Sequence, residues 1–377
     1  MRTTLVPASV GTTELRALRT EVRTFLRDSI ANGDFVPKAD AWQSSIDVDF
    51  SRRLAERGWI GMTIPVEYGG HGRTPLERFV VTEELLAHGA PVAAHWIADR
   101  QMAPSILAHG TEEQKRKYLP GIARAERFFG IGMSEPDSGS DLASVRTRAT
   151  PDGDRWRMSG TKLWTTSAHV ATNMIVLART DEGERHQGLS QFVVDLPNPG
   201  IAINPIITID GEHHFNEVVF DDAVLEADAL LGTRGQGWRQ VTGELANERS
   251  GPERLLSPFP LLAAWGREVD ADDAPATLEL GRLVSRLIVL RQMSLGVARE
   301  LAAGRQPAVE AALVKDLGTT FEGDLVETVR RMAMTEPGSA ATEFDALLAD
   351  GVRHTPAFTL RGGTNEVLRS IVAKGLA

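Results

Sequence analysis

The chain contains no cysteine, and this absence excludes three kinds of chemistry. Disulfide bonds, thiolate metal ligands and cysteine nucleophiles all require a thiol. The sequence also lacks any run long and apolar enough to be expected to span a membrane. Residues 1–6 are too short for the apolar core of a signal peptide. We therefore expect a cytoplasmic protein that has no membrane partner.

Basic residues are in deficit. The 377 residues include 41 Lys and Arg against 51 Asp and Glu, which gives a net charge of −10. Nucleic-acid phosphates bind clustered Lys and Arg, so the balance argues against a nucleic-acid partner. The histidines of the first third lack metal-ligand spacing, and neighbours such as His213 and His214 point to opposite faces of a strand. We expect no metal site.

Length and local pattern divide the chain into three segments. A chain of 377 residues is too long for one ordinary hydrophobic core, so two or three packed units are expected. Capping boxes at Thr74–Glu77 and Thr111–Gln114, with amphipathic periodicity, predict an all-helical domain at residues 1–127. Short β-branched runs between turns predict an antiparallel β-barrel or sandwich at residues 128–232. Long apolar-striped segments predict a C-terminal helical bundle at residues 233–377, so the fold class is α+β.

Three motifs have the composition of a ligand site. The loop at residues 134–141 reads SEPDSGSD, and its small residues and backbone amides suit a phosphate or the polar edge of a ring. Residues 160–168 read GTKLWTTSA, in which a Trp that can stack on a flat ring stands beside hydroxyls that can bond its edge. Residues 362–365 read GGTN, which predicts a loop that becomes a helix N-terminus with free amides.

These motifs carry a resemblance to a known family. The pair SEPDSGSD and GTKLWTTSA resembles the flavin-binding middle domain of the acyl-CoA dehydrogenases, and GGTNEVLRSIVA at residues 362–373 resembles their C-terminal flavin-contacting motif. The order helical, β, helical is similar to that family over nearly the whole chain. The resemblance implies an FAD-dependent enzyme that removes two hydrogens from an acyl thioester of CoA or of acyl carrier protein. It also implies an electron-transfer flavoprotein as acceptor and a tetramer of like or homologous chains.

The resemblance also assigns contacts position by position. Ser134 and Thr166 would hydrogen-bond the flavin ring, and Trp164 would pack against it. The implied cofactor contacts are Met133, Ser134, Ser140, Trp164, Thr165, Thr166, Thr364, Asn365 and Glu366. The implied substrate contacts are Ser140, Leu245, Arg249, Gly362 and Gly363.

The catalytic base is the point at which this chain departs from the family's commonest pattern. A proton next to a thioester is weakly acidic, so its base needs a raised pKa. The usual base is the Glu of a C-terminal Tyr-Glu-Gly-Thr segment, but Gly362 stands there. A minority of the family uses a Glu-Arg pair after the middle domain, which implies Glu248, followed here by Arg249, as the base. A purely structural ion pair is the alternative role for Glu248, and the competing carboxylates are Glu244 and Glu253.

A second departure concerns the subunit interface. Many family members carry an Arg-x-x-Phe-Gly segment that touches the FAD of the neighbouring subunit, and the last domain here lacks it. Three interpretations stay open: an active dehydrogenase, a half-site or non-catalytic subunit completed by a homologue, and a flavin monooxygenase or oxidase. Fold alone does not choose among them.

Overall fold

The computed structural model describes residues 12–249, 251–333 and 342–376, without the side chains of residues 244–248. The described residues form two compact units. The first combines those of Met1–Ser45, Thr74–Pro91 and Ala246–Ala377, and the second those of Ile46–Arg73 and Val92–Leu245. No helix within the described ranges has both the length and the apolarity needed to cross a bilayer.

The helices, in chain order, are α1 (Thr13–Ala31), α2 (Ala41–Ser44), α3 (Val48–Glu56), α4 (Pro75–Ala87), α5 (Ala93–Ile97), α6 (Ala103–His109), α7 (Glu112–Ala123), α8 (Gly237–Glu248), α9 (Phe259–Glu268), α10 (Ala274–Ala302), α11 (Ala308–Met332), α12 (Glu343–Phe358) and α13 (Asn365–Leu376). The strands are β1 (Phe129–Gly132), β2 (Arg148–Asp152), β3 (Arg155–Thr166), β4 (Asn173–Arg179), β5 (Leu189–Asp195), β6 (Ile201–Ile207), β7 (His213–Leu225) and β8 (Leu230–Leu231). The expected helical, β, helical order is confirmed.

The described residues of the first unit form helices and turns, and buried ion pairs join three of these helices. Arg23 of α1 donates to Glu84 of α4 at 2.8 Å, and Arg19 contacts both Glu84 and Glu83. Arg291 of α10 donates to Glu83 at 2.9 Å. Both glutamates are buried. Their charges therefore need these arginines, because an unpaired buried charge is strongly destabilising.

The second unit contains a single mixed sheet. Its strand order is β6-β7-β3-β2-β4-β5-β8, with β1 also paired to β4. The sequence indicates an antiparallel barrel or sandwich, but β4 pairs in parallel with both β1 and β2. Strand direction depends on the path of the connections, and a run of β-branched residues carries no signal of it. All of β4 except Arg179 is buried, as expected for a strand covered on both faces.

Helix boundaries follow the predictions closely where capping decides them. Both predicted capping boxes are present, at Thr74–Glu77 and Thr111–Gln114. A proline favours an early end of α7 near Pro120, but the helix continues to Ala123. Buried side chains around Pro120, such as Ile122, pack in the hydrophobic core and stabilise the additional turn. A π-helical turn at Ala98–Met102 separates α5 from α6.

Candidate active site

A buried ion pair fastens the loop after β1 to strand β3. Lys162 Nζ donates to Glu135 Oε1 at 2.8 Å and to Met133 O at 3.1 Å. The same carboxylate accepts the backbone N–H groups of Arg146 at 2.6 Å and Thr147 at 2.9 Å. Lys162 is fully buried. The loop that carries the first motif is therefore held to the strand that carries the second.

The charges of this pair persist at neutral pH. Burial raises the pKa of Glu135, but Lys162 and the donated hydrogen bonds outweigh burial and hold the pKa below its ordinary value. Burial lowers the pKa of Lys162 to about 8, against the opposing effect of the Glu135 carboxylate. Lys162 was not among the predicted site residues. A lysine among apolar and hydroxyl residues of a strand is the signal that could have identified it.

The two middle motifs meet at Ser134. Its carbonyl accepts the N–H of Leu163 at 2.9 Å, so the predicted flavin contacts Ser134 and Trp164 lie on adjacent segments of the second unit. Met133 and Ser134 are half-buried, whereas Ser140 lies further along the loop and is exposed. The structure therefore brings together the two motifs that the sequence separates by about two dozen residues.

Trp164 is exposed and has an unusual backbone conformation. Its φ is 59°, its side chain is 53% exposed, and its ring meets Phe215 edge-on at 5.8 Å. The pairing of β3 with β7 shifts register between Lys162 and Thr165, which accommodates this residue. A bulky side chain at positive φ costs of order 1–3 kcal/mol and persists where the surroundings enforce it, often at a functional site.

A stacked histidine pair is linked through Asn216 to the backbone of Thr165, the residue after Trp164. The rings of His169 and His213 lie 4.0 Å apart. Asn216 donates to Thr165 O at 3.0 Å and contacts His169 Nδ1 at 3.2 Å, while its Oδ1 lies 2.9 Å from His213 Nε2. Burial, and secondarily His213, lowers the pKa of His169. Within the described residues, no group of three or more His, Asp or Glu side chains could hold a metal ion.

The predicted C-terminal residues form a turn in the first unit. Gly362 and Gly363 have φ angles of 69° and 88°, which favour glycine. The buried Asn365 uses its side chain within this unit: its Oδ1 accepts from Lys315 at 2.8 Å and from Thr319 at 3.1 Å. A role of Asn365 toward a cofactor would therefore fall to its backbone. Thr364 and Glu366 flank it, half-buried and exposed respectively.

The predicted base lies at the end of a helix. Glu248 is the last residue of α8; its side chain, like those of Glu244 and Leu245, lies outside the described residues. Arg249 follows, is buried, and donates from Nε to Gly362 O at 3.2 Å. The competing Glu253 is buried within the first unit.

One described carboxyl has a markedly raised pKa, and sequence reasoning missed it. Burial raises the pKa of Glu322 on α11 to about 7. Its Oε1 accepts Ser257 N–H at 2.8 Å, and its Oε2 has no hydrogen-bond partner among the described residues. Glu322 is 0% exposed, so it is closed off from any substrate and does not qualify as a catalytic base.

Sequence comparisons decide the family. Models of the N-terminal, middle and C-terminal domains of acyl-CoA dehydrogenases match residues 12–126, 130–223 and 264–377. The chain belongs to the acyl-CoA dehydrogenase family. It is similar to acyl-CoA dehydrogenase IpdE1 of Mycobacterium tuberculosis, with 34% identity over 96% of this chain and 97% of that protein. The enzyme is accordingly a flavoprotein oxidoreductase of lipid metabolism that uses FAD.

Solved structures give the same family. The Tcur3481-Tcur3483 steroid ACAD (acyl-CoA dehydrogenase) superposes with a TM-score of 0.85 at 28% identity, covering 97% of this chain and 98% of that one. The ChsE4-ChsE5 complex of M. tuberculosis gives a TM-score of 0.81 at 28% identity, covering 98% and 99%. The three-domain acyl-CoA dehydrogenase fold is therefore shown for this enzyme.

The residues of the second unit fit a flavin. Trp164 is more than half exposed, and an indole is suited to stacking on a flat ring. The loop of small polar residues is bonded to the neighbouring Leu163 through the Ser134 carbonyl. Thr166 lies two residues after Trp164 on β3 and is half-buried. An exposed indole and hydroxyl side chains thus lie on neighbouring segments.

Proposed function

We propose that the enzyme catalyses the α,β-dehydrogenation of an acyl thioester of CoA or of acyl carrier protein, with Glu248 removing the α proton. Bound FAD supplies the acceptor for the β hydride. The observation that carries the assignment of the base is the hydrogen bond from Arg249 Nε to Gly362 O at 3.2 Å. The residue directly after Glu248 thus contacts the glycine that occupies the usual position of the family's base. A glycine there leaves no second carboxylate to repel Glu248.

The remaining site residues hold and orient the cofactor and the substrate. Ser134 and Thr166 hydrogen-bond the flavin ring with help from the backbone of Met133. Trp164 packs against the ring, and Thr165 of the same strand is a further cofactor contact. Cofactor contacts also come from Ser140, Thr364, Asn365 and Glu366. Substrate contacts come from Ser140, Leu245, Arg249, Gly362 and Gly363.

Replacing the base gives the direct test. In Glu248→Gln the amide cannot accept the α proton, so anaerobic bleaching of the flavin by an acyl-CoA should slow by several powers of ten, while FAD remains bound. Glu244→Gln is the matched control, one helical turn earlier, and should bleach at close to the wild-type rate. Rapid bleaching by the Glu248 variant would exclude Glu248 as the base, and loss in the control alone would reassign the base to Glu244.

A second candidate function is that of one subunit in a heteromeric dehydrogenase for a bulky acyl group. Two observations favour it: the missing Arg-x-x-Phe-Gly segment, and the similarity to a steroid ACAD named for two proteins and to a two-protein complex. The chain purified alone would then carry little FAD and gain it on co-expression with its homologous partner. A chain that is fully loaded alone, and bleached faster by a straight-chain than by a steroid acyl-CoA, would contradict this candidate.

The electron acceptor belongs to the same proposal. We infer an electron-transfer flavoprotein, a tetrameric assembly and a cytoplasmic location, supported by family membership and the absence of cysteine. Reoxidation of the substrate-reduced enzyme by air within seconds, with slow reoxidation by electron-transfer flavoprotein, would instead support an oxidase.

A further inference from the structure

The double-glycine turn (Gly362–Gly363) has no side chain of its own with which to hold its conformation. Its φ angles of 69° and 88° lie in the left-handed region, where glycine is favoured and also loses most entropy on ordering. It directly precedes Thr364 and helix α13, which begins at Asn365. Whatever fixes the turn also fixes where α13 begins.

Lys315 of α11 holds the turn from one side. Its side chain is fully buried, and an ammonium has three protons to donate. The acceptors of Lys315 Nζ are Gly363 O at 2.8 Å, Asn365 Oδ1 at 2.8 Å and Thr359 O at 3.2 Å. One side chain therefore links the residues before, within and after the turn.

Arg361, the residue directly before the turn, is anchored by an ion pair and by two aromatic rings. It makes a two-pronged ion pair with Asp40, at 2.5 and 2.6 Å, and lies 4.5 Å from the ring of Trp42 and 5.2 Å from that of Phe358. Asp40 is buried and also contacts His354 Nδ1 at 3.2 Å. Burial raises the pKa of Asp40, but Arg361 and His354 outweigh it and lower the pKa to about 2, so the pair is charged at neutral pH.

We propose that Lys315 and Arg361 are positioning residues, which fix the double-glycine turn and the start of α13 for the reaction. The catalytic part of this inference rests on the proposed function, since it assigns the turn to the site of Glu248. The structural part does not, because every contact that defines it lies within the first unit. Neither side chain need touch the substrate for its removal to reduce turnover.

Amide hydrogen exchange of the cofactor-free full-length chain tests the structural part. Asp40→Asn weakens the hold on Arg361 without substituting a residue of the turn. In this variant and in Lys315→Met, amides of residues 362–368 should exchange at least about tenfold faster, while the sheet keeps its protection. Arg291→Met is the control, because it breaks another buried ion pair of this unit and should leave the turn's exchange unchanged. Unaltered turn exchange in both test variants, or a uniform increase matching that of Arg291→Met, would overturn the inference.

Kinetics of the FAD-loaded enzyme test the catalytic part. Displacing the turn should lower kcat about 10²-fold and leave KM within about threefold of the value for the unmodified enzyme. It should also alter the visible circular dichroism of the flavin. Lys315→Arg, which keeps a buried donor, should recover part of kcat. Faster amide exchange in the turn, together with an unchanged kcat and an unchanged circular dichroism of the flavin, would reject the positioning role. Absence of acyl-CoA turnover in the unmodified enzyme would reject the proposed function instead, and the exchange result would stand. Should Lys315→Met fail to fold, Asp40→Asn decides both parts.

Discussion

Trp164 combines two features that a side chain rarely shows together. Its backbone has φ 59°, and its indole is 53% exposed, so neither conformational preference nor burial favours a tryptophan there. Trp156 in the same strand is the opposite case: it packs against the sheet core at 5.1 Å from Phe192. Function rather than stability is therefore the better explanation for Trp164.

The contrast gives a paired prediction. Trp164→Ala should lower FAD affinity about tenfold, because a stacking partner is lost, but change the free energy of unfolding of the apoprotein by less than about 1 kcal/mol. Trp156→Ala should destabilise the fold by about 3 kcal/mol and leave the FAD affinity of folded protein unchanged. Fluorescence titration with FAD and urea unfolding measure both. Equal loss of stability in the two variants would remove the argument for Trp164.

Glu322 makes stability depend on pH. Its pKa is raised to about 7 by burial, so the native state binds a proton that the unfolded state releases near pH 4.5. The stabilisation is full below the unfolded pKa and is lost as pH rises through about 7. Glu322→Gln, which mimics the protonated acid, should therefore gain stability relative to wild type between pH 5 and pH 8, by up to about 3 kcal/mol.

Urea unfolding at the two pH values measures this gain. Glu327→Gln is the control, because Glu327 lies on the same helix but is exposed and paired with Arg330. Its difference from wild type should stay within about 0.5 kcal/mol at both pH values. A Glu322 variant whose difference from wild type is the same at pH 5 and pH 8 would contradict the raised pKa.

Strand β3 is the element on which the middle site depends. It carries both the exposed Trp164 and the buried Lys162, and Lys162 reaches the preceding loop through Glu135. Loop and strand therefore hold their conformation jointly.

A double-mutant cycle tests this coupling. Lys162→Met or Glu135→Gln alone should cost about 3–5 kcal/mol, because each leaves a buried polar or charged group without its partner. The double variant should be more stable than the sum of the single losses predicts. Bound FAD per chain should fall in all three. Strict additivity in urea unfolding would show that the pair does not join loop to strand.

Local sequence predicted the elements that local interactions determine. Thr74 and Thr111 marked helix starts because a capping box needs only residues three apart. The length of strand β3 had no such local signal, since a glycine such as Gly160 is typical of the end of a β run although the strand continues to Thr166. The mixed pairing of β4 had no local signal at all.

The site was predictable to the same extent. The two middle motifs were identified from composition and spacing, and the contact of Leu163 with Ser134 brings them together. The residues that hold them were missed, because Lys162 and Glu135, or Lys315 and Asn365, are far apart in sequence and meet only after folding. The individual roles of the predicted contacts remain predictions.

The two compact units of the molecule are each built from segments that are not consecutive in the chain. The predicted division at residues 127 and 232 stays a prediction. The first compact unit combines described residues from the start of the chain, from Thr74–Pro91 and from its end, and the second takes the rest of the N-terminal helical region together with the sheet. Sequence patterns mark where an element type changes, but only tertiary contacts decide which distant segments pack together.

An exposed apolar surface on one helix predicts where subunits assemble. Helix α10 exposes Leu278, Val284, Ile288 and Val289, which are between 40% and 59% exposed. An apolar surface of this kind is typical of a protein interface. Ile288→Glu should reduce the mass measured by light scattering, while Thr277→Glu, an exposed polar position on the same helix, should not. An unchanged mass for both variants would exclude this face from the assembly.

The double-glycine turn has a consequence for redesign. A carboxylate reinstalled by Gly362→Glu would occupy a left-handed backbone position beside the guanidinium that already bonds its carbonyl. Neighbouring positive charge keeps an acid ionised and weakens it as a proton acceptor. The Gly362→Glu variant alone is therefore expected to have a weak base at residue 362, and conversion to the more widespread catalytic layout would need the hydrogen bond from Arg249 to change together with the acid.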